Sequence, residues 1–176
     1  MKLLFTFLFS LLLFPQDSSE KIMWNETQKL TWEDFRGKPV RSASFVASTN
    51  TGISFQYSYS IKNGAVNAEY SVKSFFSPES SWYIPERVNP YILKHEQAHF
   101  DVSELHARML RKKLKEKTFT KKIKSEIEGI YQQVEQKRRA MQTNFDAETD
   151  HSRNEEKEIF WQKHIANQLA EYNDWK

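Results

Sequence analysis

The chain has 176 residues, a net charge of +3 and no cysteine. Without cysteine there can be no disulfide, thiolate metal site, thiol nucleophile or lipidated-cysteine anchor, so any metal must be held by His, Asp or Glu. The small net charge argues against a nucleic-acid partner, and the basic run Arg111–Lys124 reads as a solvated helix end and turn.

Residues 1–18 pair Lys2 with an apolar run, Leu3–Phe14, about as long as the core of a signal peptide and too short to span a bilayer comfortably. The expectation is an exported protein, periplasmic or secreted, whose mature chain has no transmembrane helix. Residues 19–176 form a single domain with a β-rich half, 22–84, and a helical half, 89–176. Within the first half, "TWEDFRG" predicts a short capped helical turn and "SASFVAST" a strand. Ile53, Phe55, Tyr57, Tyr59 and Ile61 alternate with smaller or polar residues; Asn63-Gly64 follows, then Val66, Ala68, Tyr70 and Val72. That pattern predicts a β-hairpin with a two-residue turn.

Asn89 is a suitable N-cap and Pro90 a suitable first helical residue, so a helix is expected over about 90–116. A second, over about 121–145, follows Ile123, Ile127, Ile130, Val134, Met141 and Phe145; a third spans about 154–173. The polar stretch "NFDAETDHSRN" between the last two reads as a loop. The fold class is therefore α+β, an antiparallel sheet or hairpin packed on three helices.

His95, Glu96 and His99 form the pattern H-E-x-x-H on the first helix. At i and i+4 the two imidazoles share a face and can grip one ion, while Glu96 lies about 100° round, within reach of a metal-bound water. Zinc lowers the pKa of such a water towards 7, and the glutamate can take its proton. Two histidines at ligand spacing with a glutamate between them favour a site over paired core histidines.

The third ligand must come from elsewhere. Glu104 points about 140° away from the histidine pair, and His106 lies about 10 Å beyond His99 along the axis. His164 has no partner at useful spacing. If the first two helices form an antiparallel hairpin, the rise per residue brings the loop from Asp146 to His151 back near the motif. His151 is the preferred ligand; Asp146, Glu148 and Asp150 in the same loop remain alternatives.

The stretches "LTWEDFRGKP", "ILKHEQAHFDVSE" and "NFDAETDHSRN", in this order behind a leader, resemble a bacterial family of predicted secreted zinc-dependent proteases, long catalogued as a domain of unknown function. The resemblance covers most of the mature chain. It implies one zinc ion on His95, His99 and His151, Glu96 as catalytic base, and Asp146 and Thr149 as residues that orient His151. The family pattern tends to have glycine after that last histidine, where this chain has Ser152.

The expectation is a zincin-like, H-E-x-x-H metallopeptidase acting on a peptide or protein, or on a cell-wall amide. In the broader zincin group an edge strand beside the motif helix holds extended substrate, a role open here to the "SASFVAST" strand or the hairpin. A non-catalytic periplasmic binding or scaffold module, with a structural metal or none, is the competing reading; it gives Glu96 no task.

Overall fold

The hairpin signal organises the sheet. In the computed structural model, which describes residues 20–176, strands β3 (Thr51–Lys62) and β4 (Ala65–Phe76) pair antiparallel around Asn63-Gly64. Both turn residues have positive φ, 51° and 81°, as a tight hairpin turn with right-twisted strands requires. A short β1 (Ile22–Met23) pairs with the far edge of β4, giving the order β1-β4-β3. The leader expected at 1–18 lies outside the described residues.

The expected "SASFVAST" strand is short. Only β2 (Ala47–Ser48) is extended and paired, to β5 (Trp82–Tyr83), in a separate two-stranded ladder. "TWEDFRG" forms a 3-10 turn, Trp32–Asp34, closed by the Asp34 carboxylate, which accepts from the Thr31 N–H at 2.7 Å. Gly37 follows where the backbone runs against Ser81: a Cβ there would lie 2.7 Å from the Ser81 carbonyl oxygen, so only glycine fits without a shift.

Three α-helices follow among the described residues: α1 (Pro90–Glu116), α2 (Ile123–Thr149) and α3 (Glu155–Glu171). The Asn89 side chain accepts from the Ile92 N–H at 3.0 Å, capping α1 as expected. One correction concerns α2. It continues through "NFDAET" to Thr149, so the loop is only residues 150–154. Phe145 and Thr149, four apart, are both fully buried; the polar residues among them fall on the other faces of the last turn.

The alternating residues of the hairpin, with Ile53 and Val72 buried, pack on Ala107, Leu110 and Leu114 of α1 and on Ile123, Ile127 and Val134 of α2. A second cluster, Ala98, Val102, Phe145, Trp161 and Ile165, joins the three helices. A third gathers Leu30, Phe35, Phe76 and Phe100 under the N-terminal segment, which is tied to α1 by Trp24 Nε1 donating to Asp101 at 2.7 Å. The architecture is α+β with an N-terminal antiparallel sheet and three helices. Among the described residues no helix is long and apolar enough to cross a membrane.

Candidate metal centre

The second cluster forms the floor on which α1 and α2 meet, and there the histidine pair faces inward. His95 and His99 are both buried, with the His95 ring stacked on Phe145 at 4.4 Å between centroids. Their Nε2 atoms are 3.3 Å apart. The last turn of α2 adds Asp146, whose Oδ1 lies 3.2 Å from His95 Nε2 and 2.9 Å from His99 Nε2. These three residues offer ligand atoms within 4.8 Å of one another and could hold a metal ion.

The remaining atoms of each imidazole are already engaged. His95 Nδ1 is 2.9 Å from Glu158 Oε2, on α3. A carboxylate can only accept, so Nδ1 carries the proton of that bond and Nε2 of the neutral ring is left with a lone pair able to coordinate. Gln142 does the same for His99: its Nε2 donates to the His99 carbonyl at 2.9 Å, which turns its Oε1 to accept from His99 Nδ1. Both rings are thereby oriented with Nε2 toward Asp146.

Three electron-rich atoms this close require positive charge between them. Burial works against a charged His95, but its hydrogen bonds with Asp146 and Glu158 and the charge of Glu96 outweigh that cost and push its pKa up to about 9. Burial would raise Asp146, yet its bonds with His95 and His99 hold it well below the ordinary carboxylate range. In the metal-free protein a proton on His95 supplies that positive charge.

Glu96 lies beside the triangle, 4% exposed, and its Oε2 accepts from Thr49 Oγ1 at 2.6 Å. Thr49 belongs to the segment Phe45–Thr51, which forms the opposite wall of a cleft of about 480 Å³ lined also by His95, Glu96, His99, Asp146 and His151. Ile84 N–H donates to the Val46 carbonyl at 2.8 Å, and Ala47 lies opposite Tyr83. By antiparallel alternation, the N–H and C=O of Ala47 therefore point away from β5, leaving this edge unpaired by the ladder.

His151 stands at the end of the cleft. Its Nδ1 is 3.6 Å from Asp146 Oδ1, and its ring lies against Phe45 at 5.2 Å. It is not one of the three residues whose ligand atoms cluster. The chain reaches it through an unusual turn, with Asp150, His151 and Ser152 all at positive φ, 47°, 50° and 69°. None is glycine, and each such residue costs roughly 1 kcal/mol. Thr149 does not hold His151: its hydroxyl donates back to the Phe145 carbonyl at 2.7 Å, while its own carbonyl accepts from Asn154 N–H at 2.8 Å. Its contribution to the turn is thus through the backbone.

The remaining sequence alternatives point elsewhere. Glu148 accepts from Trp161 Nε1 at 3.2 Å, and Asp150 pairs with Arg153 on the surface. Glu104 is buried among Ser74, Arg108 and Arg111. His106 Nδ1 donates to the Val102 carbonyl at 2.8 Å, and burial lowers its pKa. His164 is exposed against Phe160. Thr49, Gln142 and Glu158 were not legible as site residues, because each meets its partner only through the tertiary fold.

A family model described as a bacterial protein of unknown function (DUF922) matches residues 28–152. The chain belongs to that family. No curated protein and no solved structure matches it. The DUF922 match takes in His95, Glu96, His99, Gln142, Asp146 and His151, together with the cleft wall at Phe45–Thr51. It ends before α3, and so before Glu158.

Proposed function

We propose that this DUF922 protein is an exported, zincin-like zinc-dependent hydrolase that cleaves amide bonds in peptides or proteins. The reading rests on the triangle of His95 Nε2, His99 Nε2 and Asp146 Oδ1, with edges of 3.3, 3.2 and 2.9 Å beside Glu96 and an open cleft. Ligands about 2.0–2.1 Å from a tetrahedral zinc stand roughly 3.3–3.4 Å apart, so the donor set fits one face of such a site. Zinc bound there would polarise an amide carbonyl and bring the pKa of a bound water towards 7.

The chain's own residues supply the rest. Thr49 occupies Oε2 of Glu96, which leaves Oε1 to take a proton from water and return it to the leaving amine. The outward N–H and C=O of Ala47 suit main-chain pairing with an extended substrate laid along the cleft. His151, implied as a ligand by resemblance, lines that cleft from outside the inner three. The apolar leader at Leu3–Phe14 suits export.

Zinc titration against a chromophoric chelator tests the assignment. Wild type is expected to bind one ion, D146A to lose roughly a thousandfold in affinity, and H151A less than tenfold. Tight binding by D146A with loss in H151A would transfer the third position to His151. With zinc loaded, hydrolysis of casein and of peptidoglycan fragments separates protein from cell-wall substrates, and E96Q should abolish the activity seen. Undiminished turnover by E96Q would remove the proposed base.

A further inference from the structure

We propose that Glu158, outside the residues matched by the family model, is a positioning residue for His95, and that α3 is therefore a working part of the metal centre. This rests on the reading of His95, His99 and Asp146 as metal ligands. Glu158 is fully buried, whereas Glu155 and Glu156 in the same first turn of α3 are exposed. An isolated buried carboxylate is costly, so its retention requires partners on both oxygens. It has them: Oε2 meets His95 Nδ1 at 2.9 Å, and Oε1 accepts from Gln162 Nε2 at 2.8 Å.

The placement of Glu158 is fixed from both directions along α3. Upstream, the Asn154 side chain caps the helix by accepting from the Lys157 N–H at 3.1 Å. Downstream, Trp161 and Ile165 pack into the cluster with Val102 and Phe145, which anchors the helix one and two turns later. A purely architectural ion pair would need only to join α3 to α1. This one joins to the single nitrogen of His95 that does not face His99 and Asp146. Accepting Nδ1–H selects the tautomer whose Nε2 lone pair points into the triangle, holds the ring plane, and makes that nitrogen a stronger donor.

The test uses the mature chain with wild type, E158Q and E158L, reading zinc affinity by chelator competition and metal-free stability by urea unfolding. E158L should weaken zinc binding roughly ten- to a hundredfold, and E158Q, whose amide oxygen can still accept from Nδ1–H, by less. The rise in melting temperature on adding zinc should shrink in the same order. E158L that binds zinc as wild type does, whatever its metal-free stability, would reduce Glu158 to an architectural role and overturn the proposal. Should E158L not fold, E158A, which also removes the acceptor from Nδ1–H, decides, and an affinity equal to wild type overturns it. Failure of the wild type to bind zinc would instead sink the metal-centre reading itself.

Discussion

Helix α1 carries two buried polar clusters less than three turns apart, and they are built on opposite principles. Around Glu104 every acceptor meets a donor: Oε1 takes Arg108 Nε at 3.0 Å and Arg111 Nη1 at 3.1 Å, and Oε2 takes Ser74 Oγ at 2.7 Å. The arginines then reach outward to the carbonyls of Leu169, Trp175 and Val72, tying α1 to α3, the C-terminal turn and β4. Around His95 the facing atoms are all of the electron-donating kind, and the cluster opens on a cleft. The first is complete without help; the second could hold a cation. Buried charge alone does not mark a site, whereas a surplus of lone pairs converging beside accessible space does.

The widest contrast should appear on breaking each cluster. E104A leaves Arg108 buried without its carboxylate and should cost about 3–5 kcal/mol in urea unfolding, with zinc affinity unchanged. A fall in zinc affinity to match would mean that the two clusters are one.

The next contrast is with pH. His95 has its pKa raised from 6.5 to about 9 in the folded protein, so its contribution is full below 6.5 and is lost as pH rises through 9. Asp146, lowered from 3.8, contributes above that value and loses its contribution as pH falls through its lower folded pKa. The metal-free protein should therefore lose up to about 3 kcal/mol between pH 6.5 and 9. Zinc bound as proposed would displace the His95 proton, so its affinity should climb over the same interval; calorimetry in buffers of different ionisation heat would detect the released proton. A flat affinity profile from pH 6.5 to 9 would exclude a proton on His95. E104A should keep this pH dependence.

The smallest effect concerns the turn that carries His151. Ser152 sits at φ 69°, where glycine has no steric penalty. S152G should stabilise the protein by about 0.5–1 kcal/mol, part of the relief being offset by a freer unfolded chain. Its zinc affinity should stay within twofold of wild type. A larger loss would show that the strained turn itself is needed to hold the centre.

Local chemistry made much of the architecture legible. Asn63-Gly64 and the period-2 residues around it specified the hairpin; Asn89-Pro90 specified where α1 begins. Where α2 ends bears directly on the site. Read as a loop, "NFDAETD" made Asp146, Glu148 and Asp150 equivalent candidates. As helix, it separates them, because two residues along an α-helix are about 200° apart around the axis. Asp146 faces His95 and His99, while Glu148 faces Trp161. The signal was present in Phe145 and Thr149, four residues apart and both buried, but it was masked by polar neighbours.

By itself the sequence determined which atoms α1 presents: spacing within one helix depends only on its pitch, so His95 and His99 had to share a face with Glu96 beside them. Tertiary structure alone decided what meets them. Thr49, Gln142, Asp146 and Glu158 lie 43 to 63 residues from their partners in the site. No local periodicity encodes such meetings; they follow from how the apolar faces of α2 and α3 pack on α1 and from the pairing of β2 with β5 that carries Thr49 to Glu96, and together these contacts fix the orientation of two histidines and a glutamate.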